Sequence, residues 1–287
     1  MRKIRILLPV FFAIIILWRV FSQDACASQS LPKRIVSLAP SMTEELYLLG
    51  AEDSLIANTT YCVTPLAAEA KEKIGDITRI NLEKIVSLKP DLVLATSLTN
   101  SKAIQKLKNL GIEVMIFPAP KNYAYLCDQF LELGKAVGKE AQAKAIIAES
   151  KERVMAIRAR TAELAKPKVF IEIGAKPLFT ANKDYFINDF VELAGGVNIA
   201  QDAKVGTYSR EEVLRKNADV IIIVMMGLAV KKETEVWQKF KDLNAVRDNR
   251  IYVIDSRKVC SPTPVTFVET LNKIASLLHP ELSRGKQ

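Results

Sequence analysis

Asn81-Leu82-Glu83-Lys84-Ile85-Val86-Ser87-Leu88-Lys89-Pro90-Asp91-Leu92-Val93-Leu94 has a counterpart in Ser209-Arg210-Glu211-Glu212-Val213-Leu214-Arg215-Lys216-Asn217-Ala218-Asp219-Val220-Ile221-Ile222. Aligned at a fixed offset, both open on a helix-capping residue, carry Glu two places on, continue with aliphatics and place Asp before an apolar run. Each half thus contains a short helix feeding a buried strand, the unit from which parallel α/β sheets are built. The repetition predicts two similar lobes.

Working outward, the first half reads strand, loop, helix, strand. Arg34 to Leu38 is a strand, and a helix follows from Thr43 to Gly50. Ser41 and Glu44 stand at capping-box spacing before it, and Gly50 ends it. Asp91 to Ala95 and Ile112 to Phe117 are further strands around a helix from Ser101 to Leu110. In the second half Lys168 to Ile173 answers the first strand, and Ile187 to Ala194, closed by Gly195-Gly196, answers the first helix. From Lys139 to Ala165 there is neither Gly nor Pro, and Ala143, Ile146, Ile147, Ser150, Val154, Ile157, Thr161 and Leu164 form one stripe at helical spacing. That segment predicts a rod of roughly 40 Å joining the lobes. The expected class is α/β, two Rossmann-like lobes with parallel sheets joined by one long backbone helix. The expected boundaries are a signal peptide over 1–27, an N-terminal lobe over 28–121, the linking helix over 122–166 and a C-terminal lobe over 167–287.

The N-terminus is a processing signal. Arg2, Lys3 and Arg5 precede an apolar run from Leu7 to Trp18, and Ala25-Cys26-Ala27 has the small-x-small form of a cleavage site. The run is short of the roughly 20 residues of a bilayer span. A periplasmic, secreted chain is expected, with an uncleaved N-terminal membrane anchor as the alternative. A lipoprotein at Cys26 fits less well, since Gln23-Asp24-Ala25 lacks the small and aliphatic residues of a lipobox.

Among the 287 residues, 49% are hydrophobic and 25% charged, which excludes disordered and fibrous classes. Loss of Arg2, Lys3, Arg5, Arg19 and Asp24 with the signal lowers the net charge from +9 to +6. No run of five like charges remains, so no nucleic-acid footprint is expected. One histidine, His279, rules out a site built on several imidazoles and is expected to play no part in the site. Cys62, Cys127 and Cys260 permit at most one internal disulfide.

In parallel sheets the functional loops follow the carboxyl ends of strands. Those are Ala39-Pro40-Ser41, Thr59 to Cys62, Thr96-Ser97-Leu98 and Pro118-Ala119-Pro120 in the first half. In the second they are Gly174 to Phe179, Met225-Met226-Gly227 and Asp255 to Pro264. They are mostly apolar and hydroxyl-bearing. No carboxylate pair, G-x-S-x-G, G-x-G-x-x-G or Walker-type loop stands out, so a binder is expected and not an enzyme, with no catalytic residue and no resident metal or cofactor. An exported α/β enzyme acting on a chelate is the competing class, and an adhesive or structural role a third.

Arg34-Ile35-Val36-Ser37-Leu38-Ala39-Pro40-Ser41-Met42-Thr43-Glu44, Asn81 to Val93, Phe179-Thr180, Leu193-Ala194-Gly195-Gly196-Val197-Asn198-Ile199 and Leu277-Leu278-His279-Pro280-Glu281 resemble the helical-backbone substrate-binding proteins of ABC importers, most of all the periplasmic cobalamin-binding proteins. The resemblance covers nearly all of the mature chain. It implies capture of a bulky metal chelate, a cobalt corrinoid or an iron chelate, by a monomer that delivers it to a membrane permease and its ATPase. Ferric siderophore and haem receptors share the architecture and supply the alternative ligands. Glu83 and Glu211 match the surface glutamates that pair with permease arginines, and helix N-terminal stabilisation is the bland explanation of both. Tyr61 and Phe179 match aromatic positions flanking the corrin, whereas Ile77 and Thr96 stand where cobalamin binders carry tryptophan. The candidate ligand-binding set is Pro40, Ser41, Tyr61, Cys62, Thr96, Ser97, Lys176, Phe179, Tyr208, Arg257 and Cys260. Lys176 and Arg257 are candidates to meet anionic groups of a chelate, with ordinary solvated loop cations as the alternative. For Cys62 and Cys260 three readings stay open: soft metal ligands, a cross-lobe disulfide, or two small semi-buried side chains. Tyr61 as a direct haem ligand is a further alternative.

Overall fold

The computed structural model describes residues 30–284 apart from 77–78, 205 and 226–227. The expected signal segment, its cleavage site, Ile77 and, of the expected cleft loop after the apolar run of the second half, Met226 and Gly227 therefore lie outside the described residues. No helix among the described residues is long and apolar enough to cross a membrane.

The first lobe runs β1 (Ile35–Ser37), α1 (Pro40–Leu48), β2 (Leu55–Asn58), β3 (Glu72–Lys73), α2 (Leu82–Ser87), β4 (Leu92–Thr96), α3 (Ser101–Asn109) and β5 (Glu113–Phe117). Its strands lie in the order β3-β2-β1-β4-β5, all parallel. Two helices follow, α4 (Tyr123–Ala136) and α5 (Glu140–Thr161). The second lobe opens with β6 (Lys168–Glu172), a small antiparallel hairpin of β7 (Gly174–Ala175) and β8 (Leu178–Phe179), α6 (Ile187–Leu193), β9 (Val197–Asn198) and α7 (Arg210–Lys216). It continues with β10 (Val220–Ile223), α8 (Leu228–Trp237), α9 (Asn244–Arg247), β11 (Ile251–Val253), α10 (Ser256–Cys260), α11 (Pro264–Leu278) and α12 (Glu281–Arg284). Its sheet has the order β11-β10-β6-β9, again parallel.

The repeat read from the sequence is a repeat of hydrogen bonds. Asn81 Oδ1 accepts from the Lys84 amide at 2.9 Å, and Ser209 Oγ accepts from the Glu212 amide at 3.1 Å, so α2 and α7 start on equivalent caps. Both segments then pass through a left-handed residue, Lys89 (φ 49°) and Asn217 (φ 51°). Asp91 Oδ2 takes the amides of Lys33 and Arg34, and Asp219 Oδ2 takes that of Lys168. Arg34 and Lys168 reach the equivalent carbonyls of Leu88 and Lys216.

Two expectations need correction. Helix α1 does not start on a capping box at Ser41. Extended Ala39 precedes it without a side-chain cap, and Pro40 occupies the first turn, where its fixed φ suits a helix and its missing N–H is not needed. The Ser41 hydroxyl is thereby left out of capping. Gly50 (φ 63°) does end the helix, through the paired bonds Gly50 N–H to Tyr47 and Ala51 N–H to Leu46. The predicted rod from 139 to 165 is shorter, 22 residues or about 33 Å. It closes where the Thr161 hydroxyl bonds back to the Ile157 and Arg158 carbonyls. The segment 122–166 holds a second helix, α4, before it. The buried stripe of α5 is Ala143, Ile147, Ser150, Val154, Ile157 and Thr161; of the two other residues the spacing predicts, Ile146 is half-buried and Leu164 lies beyond the helix end.

Alternation along the strands divides the core into three. One face of the first sheet (Ile35, Leu92, Leu94) and one face of the second (Val169, Ile171, Val220, Ile222) belong to a single core that also takes in α1, α4, α5, α6 and α11. The opposite faces carry separate cores, Val36, Val93 and Ala95 in the first lobe and Phe170, Ile221 and Ile223 in the second. Tyr123 of α4 stacks on Phe267 of α11 at 4.6 Å, and Phe267 on Phe190 of α6 at 4.2 Å. Each such pair contributes about 0.5–1.5 kcal/mol beyond burial. The Tyr123 amide also donates to Asp189 Oδ2 at 2.7 Å. A shared core joins the lobes.

Candidate functional site

Parallel strands end at one edge of each sheet, and the loops leaving those edges meet over the shared core. They enclose a cleft of about 530 Å³, within the roughly 300–1,000 Å³ usual for small-molecule sites. From the first lobe come Ala39, Pro40 and Ser41 after β1, Thr60, Tyr61 and Val63 after β2, Thr96, Ser97 and Leu98 after β4, and Phe117 to Pro120 after β5. Met42 and Glu45 of α1 and Leu126 and Gln129 of α4 form the floor. The second lobe supplies Phe186 before α6 and Ser256, Arg257, Cys260, Ser261 and Pro262 on and after α10.

Local chemistry holds these loops. Gln129 Nε2 donates to the Pro118 carbonyl at 2.7 Å and pins the loop after β5. The Thr96 and Thr99 hydroxyls close the turn after β4. Asp255 caps α10 through the Arg257 amide and pairs with the Arg257 guanidinium at 2.7 Å, which holds the Asp255 carboxyl below its usual range. Tyr61 is 54% exposed and Leu98 77%, so the first lobe offers an aromatic and an aliphatic side chain at the rim.

The structure brings together Pro40, Ser41, Tyr61, Thr96, Ser97, Arg257 and Cys260 of the candidate set and leaves four elsewhere. Cys62 is fully buried behind the wall, where the Thr43 hydroxyl donates to its sulfur and the Thr59 hydroxyl lies at 3.2 Å. Of the readings above, the small packed side chain fits it, with burial complete where half-burial was expected. Cys62, Cys127 and Cys260 are all free thiols, so the cross-lobe disulfide is absent. Cys260 is exposed on the cleft wall. Lys176 is exposed in the β7–β8 turn and does not line the cleft. Phe179 packs edge-on against Tyr185 and over Gly206, where a Cβ would fall into its ring. Tyr208 stacks on Phe170 at 5.7 Å and donates to the Ile199 carbonyl, which makes it part of the second lobe's outer core. His279 is buried at the end of α11, with Nε2 donating to the Ala194 carbonyl at 3.0 Å.

Glu45, Gln129 and Phe186 were not anticipated. For Glu45 a signal existed: Met42, Glu45, Leu46 and Leu49 share one helical face, and the other three are core residues.

In the second lobe, the end of β6 is occupied by a polar network built on Glu172. Trp237 Nε1 donates to Glu172 Oε2 at 2.5 Å, Arg210 pairs with Glu233, and the Arg210 guanidinium lies 5.2 Å from the Trp237 ring centre. Burial, with Glu233 close by, pushes the Glu172 carboxyl up to about 7.

Glu83 and Glu211 are exposed in the first turns of α2 and α7. Because each helix runs back to the start of the next parallel strand, both lie toward the edge from which the cleft loops spring.

A family model described as "Periplasmic binding protein" matches residues 35–258. The chain belongs to the periplasmic binding protein family. Among its relatives is the uncharacterized ABC transporter substrate-binding lipoprotein YvrC of Bacillus subtilis, 30% identical over 87% of this chain and 81% of that one. The vitamin B12-binding protein of Vibrio cholerae is 29% identical over 82% of this chain and 85% of its own. A possible iron-binding (periplasmic solute-binding) protein of Staphylococcus epidermidis superposes with a TM-score of 0.78 at 30% identity, over 86% of this chain and 99% of that one. These relatives are binding proteins, and the two-lobed α/β architecture of this periplasmic binding protein is theirs.

Proposed function

We propose that the chain is exported, captures a corrinoid in the cleft and delivers it unchanged to an ABC permease. The observation that carries the choice of ligand is the charge of the cleft wall. Its only cation among the described residues, Arg257, is paired with Asp255, so none of them offers a free cation to the carboxylates of haem or of a ferric siderophore. An apolar wall with hydroxyl and amide groups suits a large chelate whose rim is neutral. The vitamin B12-binding relative supports the same reading. The iron-binding relative favours a ferric chelate as the second reading.

Glu83 and Glu211 are the proposed docking points for two basic sites on the permease. They are equivalent in the repeat, exposed, and engaged by no hydrogen bond or ion pair among the described residues. The test of capture is the visible spectrum of protein isolated from its own cell envelope, followed by dialysis against cyanocobalamin. Corrin bands and one equivalent of unaltered cyanocobalamin retained are expected. A haem Soret band, a ferric charge-transfer band or chemical conversion of the guest would contradict the proposal.

A further inference from the structure

Glu45 is a carboxyl where the helix pattern calls for an apolar side chain. It is 1% exposed, lines the cleft floor with Met42, Leu126 and Gln129, and its Oε2 has no hydrogen-bond partner. An unmet buried polar group destabilises the fold, and an unpaired buried charge does so more. No group facing it among the described residues relieves that cost. Glu44 stands beside it on α1, Cys127 on α4 is a thiol held neutral by burial, and Arg257 on α10 is held by Asp255. Burial first and Glu44 second keep the Glu45 carboxyl well above the usual carboxylate range.

A neutral carboxyl offers one O–H donor and one C=O acceptor on a single edge. A carboxamide offers the complementary pair, C=O and N–H, at the same spacing. Gln129 turns its Nε2 to Pro118, which leaves its Oε1 as a second acceptor on the same floor. A carboxylate guest would instead bring negative charge to a wall whose described residues offer no free cation. Resting on the corrinoid capture proposed above, we infer that Glu45 is the specificity-determining group of the cleft floor, hydrogen-bonding through its carboxyl group to a carboxamide on the rim of the guest. The guest thus supplies the partner that the fold withholds.

The experiment titrates wild type, Glu45→Gln and Glu45→Leu with cyanocobalamin and with haemin, and records Tm for each. Wild type should bind cyanocobalamin in preference to haemin. Glu45→Gln, which keeps a donor and an acceptor, should stay within about threefold of wild type. Glu45→Leu should weaken cyanocobalamin binding about 10- to 100-fold, the worth of one or two hydrogen bonds, with Tm unchanged or higher. If Glu45→Leu melts earlier, the Glu45→Gln comparison decides. Glu45→Leu binding as tightly as wild type, or Glu45→Gln as weakly as Glu45→Leu, overturns the pairing alone. A wild type that ignores cyanocobalamin or prefers haemin removes the corrinoid reading, and the pairing with it.

Discussion

The two sheets follow one plan, yet they contribute unequally to the cleft. All four loops after β1, β2, β4 and β5 line it, whereas among the described residues the second lobe sends only Phe186 and the α10 segment. The contrast is sharpest where β1 and β6 end. Aligned through their pairing with β4 and β10, Leu38 of the first lobe occupies the place of Glu172 in the second. Leu38 is core, and the chain beyond it is free to form the wall. Glu172 is tied to Trp237 and, through Arg210, to Glu233, and the chain beyond it folds into the β7–β8 hairpin. One lobe has become mostly a wall and the other mostly a brace. Duplicated architecture fixes where loops emerge, and the residues at each strand end decide what they do.

The feature on which the lobes still agree is the Glu at the start of α2 and α7. Reversing both charges, as Glu83→Arg with Glu211→Arg, should cut transport by a hundredfold or so, on the scale of truncating two interfacial charge pairs. Ligand affinity should be unchanged. Uptake assays with the partner permease, alongside titration of the purified double variant, check both halves, and normal uptake would show that the equivalence is only helix N-terminal stabilisation.

The brace can be probed by pH. The folded chain holds a proton on Glu172 up to about pH 7, while the unfolded carboxyl releases it near its ordinary 4.5. Between those values the folded state binds more protons, so stability falls as pH rises through the interval and levels off above it. The scale is on the order of 3 kcal/mol. Glu172→Gln, which still accepts from Trp237, should flatten that slope, and urea unfolding at pH 5 and pH 8 reads it directly. An unchanged slope would mean that Glu172 is not the titrating group.

A smaller effect separates wall from brace at the aromatics. Tyr61→Ala should weaken cyanocobalamin binding about tenfold, the contribution of one aromatic face. Phe179→Ala should leave affinity within about twofold and lower Tm instead. Isothermal titration and thermal melts of the two variants check the pair, and equal losses of affinity would place Phe179 back in the site.

Much of this was legible because it is written in local chemistry. The caps Asn81 and Ser209, the braces Asp91 and Asp219 and the buried stripe of α5 each depend on a few neighbours. What could not be read is tertiary. Lys176, Phe179 and Tyr208 follow strand ends as a site residue would, but β6 continues into a hairpin and Tyr208 turns onto Phe170. Cys62 lies on a cleft loop and still points to Thr43 and Thr59. Strand position names the loop and says nothing about which of its side chains faces inward.

Amide hydrogen exchange with and without cyanocobalamin tests the central claim most directly, since it reports the guest and the lobe together. Protection is expected at 39–45, 60–63, 96–98 and 117–120 of the first lobe and at 256–262 of the second, with 174–179 and 206–208 unchanged. Protection spread evenly over both lobes' strand-end loops, or confined to 174–179 and 206–208, would contradict a cleft built mainly from the first lobe.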